Sequence, residues 1–184
     1  IKSSDPRRPS AACCVYNSAG ERVGRYDKVH LFDVCIPNAR ETYAESAVTW
    51  PGDKPLVIAT PWGRLGIAVC YDLRFPEQFR AMSAEGLDLL LLPAAFTVPT
   101  GRAHWEILLR ARAIENLCYV AAAAQTGQHP GGRATWGHSL IVGPWGQVLA
   151  DAGVAVGIAT ADLDHQRLER LRAEFPVLQH RRFN

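Results

Sequence analysis

The stretch G-I-A-V-C-Y-D-L-R-F-P-E, from Gly66 to Glu77, decides how the fold of this chain can be interpreted. Residues 65–69 combine small and β-branched apolar side chains without a polar break, which predicts a short buried strand. Pro76 fits the first turn of a helix, because the missing N–H of proline costs nothing there. Cys70 is therefore expected at a strand-to-helix corner, beside backbone N–H groups that can stabilise an oxyanion.

Cysteine at such a corner is a candidate nucleophile, since the thiolate is strongly nucleophilic and a helix N-terminus lowers the thiol pKa. An isolated cysteine is also often a buried structural residue, so the position of Cys70 alone does not decide between the two roles. The five cysteines show no framework spacing, and adjacent Cys13 and Cys14 would point to opposite faces of a strand. A reduced, cytoplasmic protein is the simplest interpretation.

Length, composition and net charge limit the classes of protein and of binding partner that are compatible with this sequence. The 184 residues suit one domain, 1–184, and 48% hydrophobic with 21% charged residues is globular composition. A net charge of +2 without a basic stripe argues against a nucleic-acid partner, and no apolar run is long enough for a membrane span. The six histidines form no H-E-x-x-H or C-x-x-C pattern, so neither a metal site nor a cofactor is expected.

Predicted strands and helices alternate along the chain, which favours an α/β fold. Apolar periodicity and turn residues predict strands over residues 11–16, 22–27, 56–60, 64–69, 87–92, 118–124, 139–142 and 156–162. Helices are predicted over residues 75–84, 103–117 and 165–174, and in the second of these Trp105, Leu108, Leu109 and Ala113 recur as an apolar stripe on one face. Residues 31–54 form a long connection, and connections of that length are often functional.

Lys28 stands in R-Y-D-K-V-H-L-F-D, where a predicted strand gives way to the long connection. A lysine there is by default a solvated surface charge, but the apolar Val29, Leu31 and Phe32 would partly desolvate it. A buried ammonium near a cysteine favours the thiolate and can donate to a developing oxyanion. Glu45 is a carboxylate in the same connection, and by itself it would also be interpreted as a surface charge.

Together these residues resemble the carbon–nitrogen hydrolase (nitrilase) superfamily. The motifs that carry the resemblance are R-Y-D-K-V-H-L-F-D, Y-A-E-S with W-P-G-D, V-C-Y-D-L-R-F-P-E, P-A-A-F-T with T-G-R-A-H-W-E, L-L-R-A-R-A-I-E-N with Y-V-A-A-A-A-Q, G-H-S-L-I-V-G-P-W-G and P-V-L-Q-H-R-R. Their order and spacing match across nearly the whole chain, including the 42 positions from Lys28 to Cys70. Within the superfamily the chain is most similar to the Nit branch, the amidases of deaminated glutathione and of ω-amides.

The resemblance implies a four-layer α-β-β-α sandwich with Glu-Lys-Cys chemistry. Cys70 would attack an amide carbon, and Lys28 with the backbone N–H of Tyr71 would stabilise the tetrahedral oxyanion. Ammonia would leave, and water would hydrolyse the resulting thioester without metal or cofactor. Glu45 matches the family's second glutamate, which positions groups around the lysine and the cysteine.

The resemblance also implies residues near the pocket and a mode of assembly. Phe96, His104 and Trp105 would lie near the pocket, although each could equally belong to core packing. Arg74 would either pair with Asp72 or bind a substrate carboxylate. Family members typically form homodimers or larger homo-oligomers, and the basic segment 175–184 is expected to lie against a partner subunit.

One departure from the family pattern bears on activity. The family's general base is a glutamate upstream of the lysine, but this sequence has none before Glu21, and it opens at Ile1 in what resembles the middle of the domain. We therefore expect the N-terminal part of the domain to be missing, or else a truncated member with impaired hydrolysis. The residues leave open a nitrilase or carbamoyl-amide hydrolase of the same superfamily, an inactive scaffold, and a papain-like hydrolase using His30 or His138.

Overall fold

The computed structural model describes residues 1–37 and 41–183. Its strands are β1 Ala12–Tyr16, β2 Arg22–Asp27, β3 Asp33–Cys35, β4 Thr42–Ala44, β5 Leu56–Thr60, β6 Gly63–Ile67, β7 Leu89–Ala94, β8 Tyr119–Ala124, β9 Thr126–Gln128, β10 Ala134–Trp136, β11 Leu140–Val142 and β12 Val148–Asp151. The α-helices are α1 Pro76–Ala84, α2 Val98–Asn116 and α3 His165–Glu174, and 3₁₀ turns cover Glu45–Ala47 and Cys70–Arg74.

A six-stranded sheet in the order β12-β11-β8-β7-β6-β5 forms the centre of the molecule. Strands β6, β7 and β8 are parallel to one another, and the remaining neighbours pair antiparallel. Because parallel strands end at one edge of a sheet, the residues that follow these three strands are brought side by side. Strands β1 and β2 form a separate hairpin, in which Gly24 lies against Ile58 of β5.

The core forms where α1 and α2 pack against each other and against the sheet. On α2, Trp105, Leu109 and Ala113 are fully buried at four-residue intervals, which confirms the predicted apolar stripe of this helix. They meet Phe79 and Met82 of α1 and a set of apolar strand residues comprising Leu90, Leu92, Val120, Ala122, Leu140 and Val142. The helices therefore hold the parallel strands in place from one side, while the strand ends stay free to build a site.

Most predicted elements are present, with differences that have local causes. Helix α2 begins at Val98 rather than near residue 103, because Thr97 caps it by accepting a hydrogen bond from the backbone N–H of Thr100. The long connection contains the hairpin β3–β4, and the predicted strand over 156–162 is absent from the described residues. None of the described helices combines the length and the apolar character that crossing a membrane requires.

Candidate active site

Cys70 lies at the corner between β6 and α1, in a backbone conformation that is rare for a residue with a side chain. Its φ angle is +52°, in the left-handed region, where a non-glycine residue costs about 1–2 kcal/mol. The strand ends at Ile67 and a 3₁₀ turn separates it from α1, so the predicted direct strand-to-helix corner is corrected in this detail. Such strain persists only where the surrounding structure imposes it, and strained residues cluster at functional sites. The conformation of Cys70 is therefore consistent with a functional role.

A buried carboxylate holds this corner. Asp72 is fully buried and accepts hydrogen bonds from the Tyr26 hydroxyl at 2.7 Å, from the backbone N–H of Val69 at 2.8 Å and from that of His30 at 3.0 Å. The ring Nδ1 of His30 also lies 2.8 Å from the carboxylate. The predicted ion pair between Asp72 and Arg74 is therefore wrong, because the Asp72 oxygens accept instead from Val69 and from Tyr26 and His30 on either side of Lys28.

Lys28 follows β2 directly, and its backbone is fixed on both sides. Its N–H donates to the carbonyl of Ala11 at 2.8 Å, and its carbonyl accepts from the N–H of Gly52 at 2.8 Å. Gly52 has no room for a side chain, since a Cβ there would lie 2.1 Å from the carbonyl oxygen of Asp27. The W-P-G-D motif therefore serves to clamp the strand end from which the lysine side chain extends.

The Lys28 ammonium is buried and paired with Glu45. Only 4% of its side-chain surface is exposed, and its Nζ donates to the Oε2 of Glu45. The same oxygen accepts a hydrogen bond from the backbone N–H of Phe32 at 2.7 Å. The carboxylate thus has two donors that fix its position, and it in turn fixes the direction of the lysine.

The Cys70 thiol is also largely buried, and this determines its protonation. Burial raises the pKa of the thiol, while the backbone N–H of Ala95 and the charge of Lys28 act in the opposite direction. The expectation that a helix N-terminus lowers this pKa is therefore wrong, because loss of hydration outweighs the favourable partners. A nucleophilic role of this thiol therefore requires a base that accepts its proton.

Cys70, Lys28 and Glu45 line one cavity of about 1040 Å³. Its floor comes from residues at the carboxyl ends of the three parallel strands, including Val69, Ala95 and Gln125. A cavity of this size, as the described residues bound it, has room for a small-molecule substrate. The structure therefore brings together the three residues that the sequence analysis singled out as catalytic, and their roles stay predictions.

The five predicted pocket residues are placed differently from one another. Tyr71, Arg74 and Phe96 line a separate space of about 20 Å³ next to Cys70, which holds about one water molecule. His104 is exposed, and its Nδ1 lies 3.2 Å from the Nη1 of Arg74. It lines neither the large cavity nor this small space. Trp105 is buried in the core, where its Nε1 donates to the carbonyl of His138 at 2.7 Å. Trp105 thus belongs to the core, which is one of the two alternatives that its sequence left open, and a role of His104 near the pocket stays a prediction.

The positions of His30 and His138 do not support a papain-like mechanism in which a histidine activates Cys70. His30 faces Asp72 and stacks on Phe75 with ring centroids 3.7 Å apart, and His138 lies 2.9 Å from Asp151. Neither histidine lines the cavity that contains Cys70. Within residues 1–37 and 41–183, no three His, Cys, Asp or Glu side chains are grouped closely enough to hold a metal ion.

Several further residues around the cavity were not predicted from the sequence. Tyr43 comes from β4, and His129 and Arg133 come from the connection between β9 and β10. The one signal for the second pair is the turn sequence H-P-G-G-R at residues 129–133, whose glycines mark a tight reversal. Nothing local to that turn indicates that it lies beside residues 28, 45 and 70.

Comparison with known proteins agrees with this geometry. A deaminated glutathione amidase of Synechocystis sp. is 50% identical over 176 residues, covering 91% of this chain and 64% of the relative. The human omega-amidase NIT2 is 38% identical over 182 residues, covering 99% of this chain and 66% of the relative. The chain thus spans slightly less than two thirds of the length of these relatives.

Solved structures show the same fold. The NitFhit protein of C. elegans matches with a TM-score of 0.89 and 44% identity, over 97% of this chain and 44% of that protein. An amidase variant from Nesterenkonia sp. AN1, with acrylamide added to its active-site cysteine, matches with a TM-score of 0.74 and 33% identity, over 95% of this chain and 65% of that protein. These matches confirm the predicted nitrilase-type α/β fold. Since the model of the carbon-nitrogen hydrolase family also matches residues 2–173, the chain belongs to that family.

Proposed function

We propose that the complete protein hydrolyses the C–N bond of a small, carboxylate-bearing amide through a thioester on Cys70. The observation that supports this most directly is the arrangement of one cavity, in which a strained cysteine lies with a buried lysine that is oriented by Glu45. Relatives named deaminated glutathione amidase and omega-amidase point to the same class of reaction.

In the first half-reaction, the Cys70 thiol gives its proton to a carboxylate base and its sulfur bonds to the amide carbon. The electrons of the C=O bond move onto oxygen, where Lys28 and the backbone N–H of Tyr71 stabilise the negative charge. When the carbonyl re-forms, the C–N bond breaks and the amine leaves with the proton held by the base. The acyl group is then a thioester on Cys70.

In the second half-reaction, water attacks the thioester carbon and gives its proton to the same base. The C–S bond breaks, and the sulfur recovers a proton as the carboxylic acid leaves. Glu45 is poorly placed for this shuttling, because its Oε2 already accepts from both Lys28 and Phe32. We therefore assign the base to the glutamate that the family carries upstream of the lysine, and we assign to Glu45 the orientation of Lys28.

The identity of the leaving group depends on the amide. A primary ω-amide releases ammonia, as the sequence analysis expected. Deaminated glutathione joins its acyl group to the nitrogen of cysteinylglycine, so its hydrolysis releases that dipeptide and no ammonia. An assay of ammonia alone would miss this substrate, and a reagent for free amines detects both products.

The test uses the full-length protein with deaminated glutathione, α-ketoglutaramate and an aromatic nitrile, followed by amine release and by mass spectrometry of the acyl-enzyme. We expect turnover of at least one of the two acidic amides, unaffected by EDTA, and an acyl adduct on the peptide that contains Cys70. Cys70→Ala should abolish both. Turnover of the nitrile alone, or activity that survives Cys70→Ala, would overturn the proposal.

We also propose that the protein assembles through the segment that begins at Phe175. Phe175 is 45% exposed and packs edge-on against Trp145, itself 57% exposed, with ring centroids 5.3 Å apart. Exposed aromatic residues in contact are typical of an interface. Replacing both with Ser should shift the mass measured by light scattering to a smaller species, whereas Trp62→Ser, at a 75% exposed residue elsewhere, should not. An unchanged mass in the double variant would remove this segment from assembly.

A further inference from the structure

A buried arginine joins helix α2 to the turn that carries Cys70. Arg112 is only 5% exposed, and its Nε and Nη2 donate to the carbonyl oxygen of Leu73 at 3.1 and 2.9 Å. Leu73 belongs to the 3₁₀ turn Cys70–Arg74 and is itself fully buried. A buried cation is stable only where hydrogen-bond partners compensate for its lost hydration. The Leu73 carbonyl is such a partner for Arg112.

The sequence explains why the Leu73 carbonyl takes its donors from outside the turn. In a 3₁₀ turn the carbonyl of one residue accepts a hydrogen bond from the N–H of the third residue after it. For Leu73 that residue is Pro76, which has no N–H. A buried carbonyl without a donor is destabilising, and Arg112 supplies two donors at this point. The proline that begins α1 and the arginine of α2 therefore match each other across the turn.

The guanidinium of Arg112 is fixed from two further sides. Its Nη1 donates to the Oε1 of Glu115 at 2.8 Å, and its central carbon lies 5.2 Å from the ring centroid of Phe79 on α1. The Oε2 of Glu115 lies 3.9 Å from the Nη2 of Arg80, which is also on α1. A planar guanidinium held in this way keeps its remaining N–H groups directed at the Leu73 carbonyl. Arg112 therefore joins both helices to the turn.

The turn that Arg112 holds carries groups that act in the proposed reaction. These groups are the Cys70 sulfur and the backbone N–H of Tyr71, one of the two oxyanion donors. Asp72 holds the start of the turn, and Arg112 holds its end through the Leu73 carbonyl. As the described residues bound them, neither the large cavity nor the small space beside Cys70 includes Arg112. An effect of Arg112 on the reaction must therefore pass through the turn.

We propose that Arg112 is a positioning residue, which holds the turn so that the N–H of Tyr71 points at the developing oxyanion. This inference rests on the proposed amidase function and extends it to a residue outside the cavity. A donor stabilises the oxyanion only from within hydrogen-bond distance, and a small displacement lowers the rate steeply. Because the full charge develops on that oxygen only after attack, loss of Arg112 should weaken transition-state stabilisation more than substrate binding.

The test measures kcat and KM of full-length Arg112→Met with deaminated glutathione and α-ketoglutaramate, by amine release. We expect kcat and kcat/KM to fall together by ~10–100-fold, as they do when an interaction made only in the transition state is lost. Arg112→Lys keeps the charge beside Glu115 but replaces the planar fork by a compact ammonium, so its kcat should lie between the two. Arg80 stays near Glu115 in both variants, so that carboxylate keeps a cation.

Arg172 of α3 provides a matched control. Its Nε and Nη2 donate to the carbonyl of Leu117 at 3.1 and 2.8 Å, the same two-donor arrangement, but Leu117 precedes β8 and lies at the opposite end of that strand from the site. Arg172→Met should lower the unfolding free energy and leave kcat unchanged. An equal fall of kcat in Arg112→Met and Arg172→Met, or an unchanged kcat in Arg112→Met, would overturn the inference. If Arg112→Met does not fold, an unchanged kcat in Arg112→Lys would overturn it in the same way.

Hydrogen exchange followed by mass spectrometry tests the same contact without a substrate. The N–H groups of Asp72 and Phe75 donate to backbone carbonyls of the turn at 3.1 and 3.0 Å, so their exchange reports its opening. The peptide that contains residues 70–75 should exchange faster in Arg112→Met than in the unmodified protein or in Arg172→Met, and equal exchange would overturn the inference. Failure of the unmodified protein to hydrolyse either amide would instead overturn the proposed function, a result that the exchange measurement distinguishes from failure of the contact.

Discussion

The Asp72 carboxylate accepts a hydrogen bond from the Tyr26 hydroxyl at 2.7 Å, which joins the residue two positions after Cys70 to the residue two positions before Lys28. Asp72 also accepts from the N–H of His30, two positions after Lys28. The lysine is thus flanked on both sides by residues bonded to the cysteine's own turn. Burial and the neighbouring Asp72 charge raise the pKa of the Tyr26 hydroxyl, so it remains a donor throughout the physiological range.

Asp72→Asn should therefore lower kcat by ~10–100-fold. The neutral amide loses charge-assisted hydrogen bonds worth about 1.5–3 kcal/mol each, and its NH₂ group faces N–H or O–H donors that now point at a carboxylate oxygen. Tyr26→Phe removes one of these bonds and should cost less. The decisive measurement is a double-mutant cycle in which Asp72→Asn is added to Lys28→Ala. If Asp72 acts by placing Lys28, the second substitution changes kcat little; a fully additive loss would show that Asp72 acts otherwise.

Lys28→Ala should lower kcat by ~10²–10³, the usual scale for losing one donor to a developing oxyanion. Lys28→Arg should not restore the rate, since the planar guanidinium does not fit the site of a compact, buried ammonium. Because Lys28→Ala leaves the partly buried Glu45 without its cation, thermal unfolding must be measured alongside the kinetics. The double variant Lys28→Met with Glu45→Gln removes both charges and controls for that effect. Turnover near that of the unmodified protein in any of these variants would exclude Lys28 from the mechanism.

The alkylation of Cys70 should depend on pH in a way that the neighbouring charges determine. Burial raises the thiol pKa, so the rate of reaction with iodoacetamide should rise with pH through a midpoint above that of an ordinary thiol. Lys28 lowers this pKa and Glu45 raises it, so Lys28→Met should move the midpoint to higher pH and Glu45→Gln to lower pH. Peptide mapping separates Cys70 from the exposed Cys35. Shifts of the same sign in both variants would contradict this electrostatic account.

Gly52→Ala should disturb both stability and activity. The added Cβ would lie 2.1 Å from the carbonyl oxygen of Asp27, a backbone atom that cannot rotate away, so the strand end that carries Lys28 must shift. Overpacking of this kind typically costs about 1–3 kcal/mol of unfolding free energy, measured by denaturant titration. Gly157→Ala is the matched control, because its Cβ would meet nothing closer than 4.0 Å. We expect kcat to fall in Gly52→Ala only. Equal kcat and equal unfolding free energy in the two variants would argue that Gly52 does not hold the strand end that carries Lys28.

Local sequence patterns predicted the features that depend on nearby residues. The apolar stripe of α2 and the position of Cys70 between a strand and Pro76 follow from periodicity and turn chemistry over a few positions. Family motifs additionally indicated Lys28 and Glu45, which no local rule distinguishes from surface charges. The boundaries were less accurate, because caps such as Thr97 start a helix earlier than apolar periodicity suggests.

The sequence by itself determined the mixed α/β class, the apolar helix stripe and the corner that carries Cys70, because each depends on the conformational preferences of a few consecutive residues. Only the tertiary structure decided which side chains meet: Glu45 with Lys28, Asp72 with Tyr26 46 positions away, and Arg133 with Tyr43. It also decided that Arg74 lines the small space beside Cys70 and that Trp105 lies in the core. Such pairs depend on the order of strands in the sheet and on how connecting segments pack across it, and neither is encoded in local periodicity.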